Sequence, residues 1–248
     1  MGEDMHCEGK VALITGAAGN GLGRSIALTL AREGAQVVVN YRTSEASARA
    51  MVEYIGSKGG QALAVSANVM EAEGCRKLVE TTVERFGRVD ICIIGPGGGW
   101  HPETIDQLDP DVVLGDIRQE SAPLLYMLPK ILPGMYERKW GRIIGIVTHP
   151  VKLSPAYAYN LGKMARMQAL LLAQDQAWWE HGITVNAIAP GPVAGLDSLA
   201  SAIKHVQHES VWQTRTNVTP QDIAEGVAFL CSEAGQYITG CVLPYLFH

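Results

Sequence analysis

Short apolar runs alternate along the chain with segments whose apolar residues recur at helical spacing. The apolar runs predict strands at residues 11–15, 37–40, 62–66, 91–94, 142–147 and 184–188, with a last short strand near Val242. The periodic segments predict helices at residues 21–34, 44–58, 72–86, 121–138, 159–181 and 220–231. Pro123, Pro129 and Pro133 blur the limits of the fourth helix, because proline removes a helical hydrogen bond.

The strands read as nearly continuous apolar runs, which indicates a parallel sheet that is buried on both faces. We therefore expect an α/β protein with a single-domain Rossmann fold, a doubly wound parallel sheet with helices on both faces. No linker, internal repeat or low-complexity segment divides residues 1–248. In such sheets the ligand binds beyond the carboxyl ends of the strands, where the strand order reverses.

Composition narrows the choice of partners and compartment. The 248 residues carry a formal net charge of −5 without a basic stripe, so neither nucleic acid nor an anionic membrane is the expected partner. No apolar run is long enough to span a bilayer, and residues 1–9 lack the apolar segment of a signal peptide. His205 and His208 have no third ligand near them in sequence, so no metal site is expected. Five scattered cysteines suit reduced thiols in the cytoplasm: Cys7, Cys75, Cys92, Cys231 and Cys241.

A glycine-rich turn joins the first predicted strand to the first predicted helix. Residues 15–23 read Thr-Gly-Ala-Ala-Gly-Asn-Gly-Leu-Gly. Glycines let the backbone approach a pyrophosphate closely, and the helix N-terminus offers free N–H groups to it. A purely structural turn is the alternative, but the position between a strand and its crossover helix favours a nucleotide site.

Two further motifs follow later strands. Tyr159 and Lys163 are four residues apart on the helix after the fifth strand, so they share one helix face. Residues 186–193 read Asn-Ala-Ile-Ala-Pro-Gly-Pro-Val after the sixth strand. With the glycine-rich turn, these motifs resemble the short-chain dehydrogenase/reductase family, and the resemblance runs from Lys10 to about Val242. It is strongest to bacterial 3-oxoacyl-carrier-protein reductases and glucose dehydrogenases, which implies hydride transfer between a nicotinamide nucleotide and a carbonyl or an alcohol.

The end of the second strand indicates which nucleotide binds. Residues 40–44 read Asn-Tyr-Arg-Thr-Ser and lack the acidic side chain that binds a ribose diol in NAD-specific sites. Arg42 supplies a guanidinium, which suits charge-assisted binding of a 2′-phosphate. NADP(H) is therefore the expected cofactor, with NAD(H) as an alternative because relatives with this sequence accept both. Arg42 as a solvated loop charge is the competing interpretation.

The resemblance implies a set of cofactor contacts at several strand ends. In the family the position of Asn68 lies against the adenine, although a plain turn residue is the alternative. The Val193 N–H is expected to reach the nicotinamide carboxamide, unless residues 190–193 form only a structural turn. The full expected set is Gly16, Asn20, Gly21, Leu22, Gly23, Tyr41, Arg42, Thr43, Asn68, Val69, Gly95, Pro96, Gly97, Tyr159, Lys163, Pro190, Gly191 and Val193.

The expected chemistry is general acid–base catalysis by Tyr159. A neighbouring ammonium favours phenolate, so Lys163 is expected to lower the pKa of Tyr159 from about 10 towards the working pH and to hold the nicotinamide ribose. Thr148 falls where the family has a serine that orients the substrate oxygen. His149 and Ser154 are the alternatives for that role.

The chain departs from the family pattern at several supporting positions. The glycine-rich turn has one extra residue, and residues 94–97 read Ile-Gly-Pro-Gly where the family has Asn-Asn-Ala-Gly. The relay asparagine of the following helix is not evident, with Glu120 or Arg118 nearest by count. Gly195 stands where the family has threonine. A catalytically weak or silent nucleotide-binding relative, acting as a sensor or structural subunit, is therefore the alternative to a reductase, and a lyase or isomerase is a third reading.

Substrate and assembly are less closely defined by the sequence. A small-molecule carbonyl or alcohol is expected as the substrate, under a lid formed by residues 196–219. A homodimer or homotetramer is expected to form through the helix that carries Tyr159. That helix offers the apolar side chains of Met164, Met167, Leu171 and Trp178.

Overall fold

The computed structural model describes residues 6–95, 97, 99, 102–149, 156–193, 195–196, 198–207 and 218–245, without the side chains of residues 178 and 179. Its strands are β1 (Val11–Ile14), β2 (Gln36–Tyr41), β3 (Ala62–Ser66), β4 (Ile91–Ile94), β5 (Gly141–Ile146), β6 (Ile183–Pro190) and β7 (Val242–Tyr245). Its α-helices are α1 (Leu22–Arg32), α2 (Glu45–Ser57), α3 (Ala72–Phe86), α4 (Pro110–Arg138), α5 (Tyr157–His181), α6 (Leu199–Gln207) and α7 (Pro220–Cys231).

The strands form one parallel sheet in the order β3-β2-β1-β4-β5-β6-β7. The chain moves outwards from β1 to β3 and then returns to β4 on the other side of β1. Ile14 pairs with Val39 of β2 and with Ile93 of β4, so the carboxyl ends of these strands lie level. The strand order therefore reverses between β1 and β4, where such folds bind ligands. The predicted doubly wound Rossmann fold is confirmed.

Alternate residues of each strand face opposite layers of helices. In β1, Ile14 packs with Ile26 of α1 and Val227 of α7 on one face of the sheet. Leu13 packs on the other face, in a cluster that includes Met127 of α4 and Leu170 of α5. Both faces are thus buried, which explains why the strands lack alternating polar positions.

The largest difference from the sequence prediction is the start of α4. The helix begins at Pro110 rather than at residue 121, with the Asp109 side chain accepting a hydrogen bond from the Asp111 backbone N–H at 2.9 Å. The added turns were hidden because their apolar side chains, Val112 and Leu114, are exposed instead of forming a buried stripe. This extension places Glu120 inside the helix.

Two further findings bear on the chemistry of the chain. The five cysteines are free thiols. Among the residues that the structure describes, no helix is both long and apolar enough to cross a membrane.

Candidate active site

The glycine-rich turn borders a cavity at the point where the strand order reverses. The cavity has a volume of about 240 Å³. Gly16 adopts a left-handed φ of 62°, a conformation that favours glycine. A Cβ atom on Gly23 would lie only 2.8 Å from the Gly16 carbonyl oxygen, so α1 can start this close to the turn only with glycine there. The cavity is lined by Ile14, Thr15, Gly16, Gly21, Leu22, Gly23, Ile26, Ile93, Gly95 and Ile146.

Two buried polar side chains that the sequence analysis did not single out hold this turn in place. Asn40, in β2, accepts a hydrogen bond from the Gly16 N–H at 3.0 Å and donates one to the Ala67 carbonyl at 3.0 Å. Thr15 donates to the Ile93 carbonyl and accepts from the Gly95 N–H, each at 3.0 Å. A polar residue within an apolar strand is the signal that could have identified them.

The glycine-rich turn has one exposed end, at Asn20. Asn20 is exposed, and its side-chain oxygen accepts a hydrogen bond of 2.8 Å from Arg24. The same Arg24 nitrogen donates to the Ser47 hydroxyl at 3.2 Å, although the arginine is only 4% exposed. Arg24 therefore connects the glycine-rich turn to the first turn of α2, a role that the sequence analysis missed.

The predicted adenosine-side residues lie beside this turn. Arg42 and Thr43 follow β2 and are exposed, while Tyr41 is partly buried. Asn68 closes a local turn, since its side chain accepts from the Met70 N–H and donates to Glu71. The turn role that competed with adenine binding is thus present in the structure.

Tyr159 and Lys163 lie one turn apart at the start of α5. The Lys163 Nζ atom is 5.5 Å from the centre of the Tyr159 ring. It is also 3.1 Å from a carboxylate oxygen of Glu120, a residue of α4 that is fully buried. The lysine therefore has an anionic partner on the neighbouring helix in addition to the tyrosine on its own.

Arg166 completes this cluster on the next turn of α5. Its guanidinium lies 2.8 Å from the second carboxylate oxygen of Glu120 and donates to the Glu120 carbonyl at 2.7 Å. It also donates to the carbonyls of Gly95 and Ile146, each at 3.1 Å. Arg166 thereby ties α4 and α5 to the carboxyl ends of β4 and β5.

The electrostatics of the cluster correct one expectation. Burial raises the pKa of Tyr159, and the negative charge of Glu120 raises it further, so the predicted lowering is not found. Burial and the nearby Arg166 lower the pKa of Lys163 to about 8, against the opposing effect of Glu120. The expectation failed mainly because burial disfavours the phenolate, and also because Glu120, an acid that the sequence does not place beside Tyr159, adds a negative charge.

The remaining predicted catalytic residue also lies near the start of α5. Thr148 follows β5, and its hydroxyl is 3.4 Å from the side-chain oxygen of Asn160, the neighbour of Tyr159. His149 lies beside it in sequence, whereas Ser154 is outside the described residues. The structure therefore places Thr148 at the sheet edge where Tyr159 and Lys163 lie.

The Pro-Gly segment closes the site on the side of β6. Pro190 ends that strand, and the Gly191 N–H donates to the Tyr245 carbonyl at 2.9 Å. Val193 forms an isolated parallel bridge with Val218, which brings together the two ends of the predicted lid. Between them lies α6, while residues 208–217 and the predicted contact Pro96 are outside the described part of the chain.

Comparison with known proteins identifies the family. The family model described as enoyl-(acyl carrier protein) reductase matches residues 16–245. A 3-oxoacyl-(acyl-carrier-protein) reductase from Staphylococcus epidermidis is 32% identical over 237 residues, covering 93% of this chain and 95% of the relative. An uncharacterised oxidoreductase from Methylorubrum extorquens is 34% identical over 245 residues, covering 95% of this chain and 96% of the relative.

Two solved structures of dehydrogenases are similar to this chain in fold and in sequence. A 7α-hydroxysteroid dehydrogenase complexed with NADH and 7-oxo glycochenodeoxycholic acid has a TM-score of 0.83 at 28% identity, covering 98% of this chain and 94% of its own. A hydroxysteroid dehydrogenase from Escherichia coli has a TM-score of 0.80 at 27% identity, covering 97% of each chain. The chain therefore belongs to the short-chain dehydrogenase/reductase family of oxidoreductases, which act on carbonyl and alcohol groups with a nicotinamide nucleotide.

Proposed function

We propose that this protein is an NADPH-dependent reductase that converts a carbonyl to an alcohol, or catalyses the reverse reaction, with Tyr159 as the acid and base. The observation that carries the proposal is the position of Tyr159 and Lys163 on one turn of α5, beside Asn160, whose side-chain oxygen lies 3.4 Å from the Thr148 hydroxyl. The consumption of NADPH in the presence of a ketone or an aldehyde tests it.

The residues at the reversal point suit a dinucleotide. The cavity at the glycine-rich turn lies at the N-terminus of α1, where free backbone N–H groups favour a pyrophosphate. When bound, the nicotinamide supplies the hydride. Gly191 and Val193 follow β6 on the way to the predicted lid, and the Lys163 Nζ atom lies 5.5 Å from the centre of the ring of the proposed acid.

The proposed proton chemistry follows from the environment of the phenol. Because the pKa of Tyr159 is raised, its hydroxyl is protonated at neutral pH and is ready to donate to a carbonyl oxygen. The Lys163 ammonium stabilises the phenolate that remains after this transfer. Thr148 donates a hydrogen bond that orients the carbonyl, in the place of the family's serine.

We predict that replacing Arg42 with alanine weakens NADPH binding. Arg42 is exposed at the end of β2 and forms no ion pair with a carboxylate in the described part of the chain, so its guanidinium is available to a 2′-phosphate. Loss of that charge-assisted contact should cost about 1.5–3 kcal/mol, roughly a ten- to hundredfold rise in the dissociation constant. Fluorescence titration with NADPH and NADH measures the effect.

Arg49 provides the matched control for this prediction. It is also an exposed arginine, but it lies one turn into α2 and pairs with Glu45 at 2.6 Å. Arg49→Ala should leave the affinity for NADPH unchanged. Equal affinities of the unaltered protein for NADPH and NADH would show that Arg42 does not select the phosphate.

One observation favours a second candidate function, a nucleotide-binding relative with little or no turnover. The Lys163 ammonium is paired with Glu120, whereas in a reductase it has to serve Tyr159 and the nicotinamide ribose. If the pair persists when nucleotide binds, the phenolate left on Tyr159 is poorly stabilised. Such a protein would bind NADPH and fail to reduce any carbonyl.

The substrate class that we propose is a small-molecule ketone or aldehyde held beneath residues 196–219. The relatives differ in the substrates that their names give, since one is a reductase of 3-oxoacyl groups and one is complexed with an oxo bile acid. The parallel bridge between Val193 and Val218 brings the two ends of this segment together, and between them α6 packs against the core through Ala202 and Val206.

We predict that the chain forms a homodimer or homotetramer through α4 and α5. Met167 packs into the core, but Leu172 of α5 and Leu125 of α4 are 63% and 58% exposed. Exposed apolar side chains on neighbouring helices favour burial against a second copy. Changing both leucines to glutamate should reduce the mass measured by light scattering to that of one chain. Val83→Glu on α3 is the control, and a monomeric unaltered protein at micromolar concentration would contradict the prediction.

A further inference from the structure

Glu120 lies at the centre of a buried group of charges. The proposed proton transfer gives neither Glu120 nor Arg166 a role. Its carboxylate is 3.1 Å from the Lys163 ammonium and 2.8 Å from the Arg166 guanidinium, and all three side chains are buried. Two cations and one anion are thus removed from water beside Tyr159. An arrangement of this kind is costly unless each charge is closely paired, so removing the carboxylate would leave two cations facing each other.

The surrounding backbone is shaped to admit this carboxylate. A Cβ atom on Gly97 would collide with the carboxylate group of Glu120, and one on Gly162 would lie 2.9 Å from its Cγ atom. The loop after β4 and the first turns of α5 therefore leave space for a long acidic side chain from α4. Glu120 occupies this space, with its carboxylate between the Lys163 ammonium and the Arg166 guanidinium.

We infer that Glu120 is a positioning residue, whose carboxylate keeps the Lys163 ammonium charged and places it between Tyr159 and Arg166. It acts through Lys163 and does not touch the reacting atoms. The kinetic consequence of this inference rests on the proposed function, whereas the effect on Lys163 itself does not.

The neighbours of Lys163 determine the sign of the effect. On α5 these are Tyr159 and Arg166, and on α4 it is Glu120. The buried Asp116 of α4 packs against Gly162, the residue before Lys163, since its carbonyl oxygen would lie 3.1 Å from a Cβ atom there. Burial and Arg166 lower the pKa of Lys163 to about 8, and Glu120 raises it. The ammonium is therefore present below about pH 8 and is lost above it. Removing Glu120 should move this loss to lower pH.

His149 is the ionisable group that follows β5, directly after Thr148. Because only lysine carries the label in the titration described below, a transition that is absent from a Lys163 variant belongs to Lys163 and not to His149.

The direct test is a ¹³C NMR titration of lysine labelled at Cε in the protein without nucleotide, with the Lys163 signal assigned by its absence in Lys163→Arg. Glu120→Gln has nearly the same shape and lacks the charge. We expect the midpoint of Lys163 to fall by roughly one to three pH units in this variant, the range for loss of a close opposite charge. An unchanged midpoint in the folded variant would overturn the inference.

Asp90→Asn is the matched control. Asp90 is a fully buried acid between two arginines, at 2.7 Å from Arg88 and 3.3 Å from Arg138, but it lies at the amino end of β4 on the opposite edge of the sheet. It should cause a comparable loss of thermal stability and leave the Lys163 midpoint unchanged. If Glu120→Gln destabilises the protein in the same way and also leaves the midpoint unchanged, the role of Glu120 is structural only.

Arg166→Met gives a second, opposite test that does not depend on the folding of Glu120→Gln. Because Arg166 lowers the pKa of Lys163, its removal should raise the midpoint. No rise in this variant would overturn the electrostatic account. Opposite shifts of the Lys163 midpoint in the two variants would support it, because a general loss of packing around the site would shift the midpoint in the same direction in both.

The kinetic arm is the pH profile of NADPH-dependent carbonyl reduction. The rate should fall as pH rises through about 8, where Lys163 loses its charge. This fall in rate, the alkaline limb of the profile, should shift to lower pH in Glu120→Gln but not in Asp90→Asn. A limb that does not move with the NMR midpoint would contradict the proposed coupling. If the unaltered protein reduces no carbonyl, the proposed function fails, while the NMR titration still decides the role of Glu120.

Discussion

Replacing Tyr159 with phenylalanine should lower the turnover of a carbonyl substrate by about 10²–10⁴-fold, the usual contribution of general acid catalysis. The change removes one hydroxyl from a partly buried ring on α5, so the fold and the affinity for NADPH should remain close to those of the unaltered protein. Steady-state kinetics with NADPH and fluorescence titration of the nucleotide separate the two effects. A fall in kcat with an unchanged dissociation constant is the expected result.

The same helix provides a matched control. Tyr157 lies two residues before Tyr159, is 41% exposed, and has Leu161 rather than lysine four residues later. Tyr157→Phe should therefore leave turnover unchanged. If Tyr159→Phe retains full turnover, the proton comes from another group and the proposed assignment is wrong.

Replacing Lys163 with alanine should reduce both turnover and nucleotide affinity. The ammonium has two proposed tasks, because it stabilises the phenolate of Tyr159 and holds the nicotinamide ribose. Loss of a charge-assisted hydrogen bond to the ribose should raise the dissociation constant of NADPH about ten- to hundredfold. Turnover should also fall, since the phenolate left on Tyr159 loses the stabilising charge of Lys163.

The charge balance of the site indicates that this variant can fold. Removing Lys163 leaves Glu120 paired with Arg166 at 2.8 Å, so that one anion faces one cation. Lys58→Ala, at the exposed end of α2, is the control for loss of a positive charge elsewhere. An unchanged affinity for NADPH in Lys163→Ala would mean that Lys163 stays with Glu120 when nucleotide binds. The alternative function, a nucleotide-binding relative with little or no turnover, would then be favoured.

The sequence predicted the sheet and the placement of its motifs because both depend on local patterns. Parallel strands buried on both faces must be apolar along their whole length, as residues 91–94 are. The glycine-rich turn and the Tyr-Lys pair were placed correctly for the same reason, since each follows a recognisable strand. The start of α4 was missed because its first turns expose Val112 and Leu114.

The electrostatics of the site were not predictable from sequence spacing. Lys163 and Glu120 are 43 residues apart in the chain and meet only because α4 and α5 pack against each other. Arg166 gave no signal that it would be buried and bonded to the carbonyls of Gly95 and Ile146. The sign of the pKa shift of Tyr159 depends on this packing, and so the sequence analysis predicted it wrongly.

The central claim is tested most directly by following NADPH oxidation at neutral pH with a panel of ketones, aldehydes and 3-oxoacyl thioesters. The unaltered protein and Tyr159→Phe are measured side by side, after NADPH binding has been confirmed for both. We predict that the unaltered protein consumes NADPH with at least one carbonyl and forms the matching alcohol, and that Tyr159→Phe is slower by about 10²–10⁴-fold. NADPH binding without turnover across the whole panel, or equal turnover by the two proteins, would contradict the account.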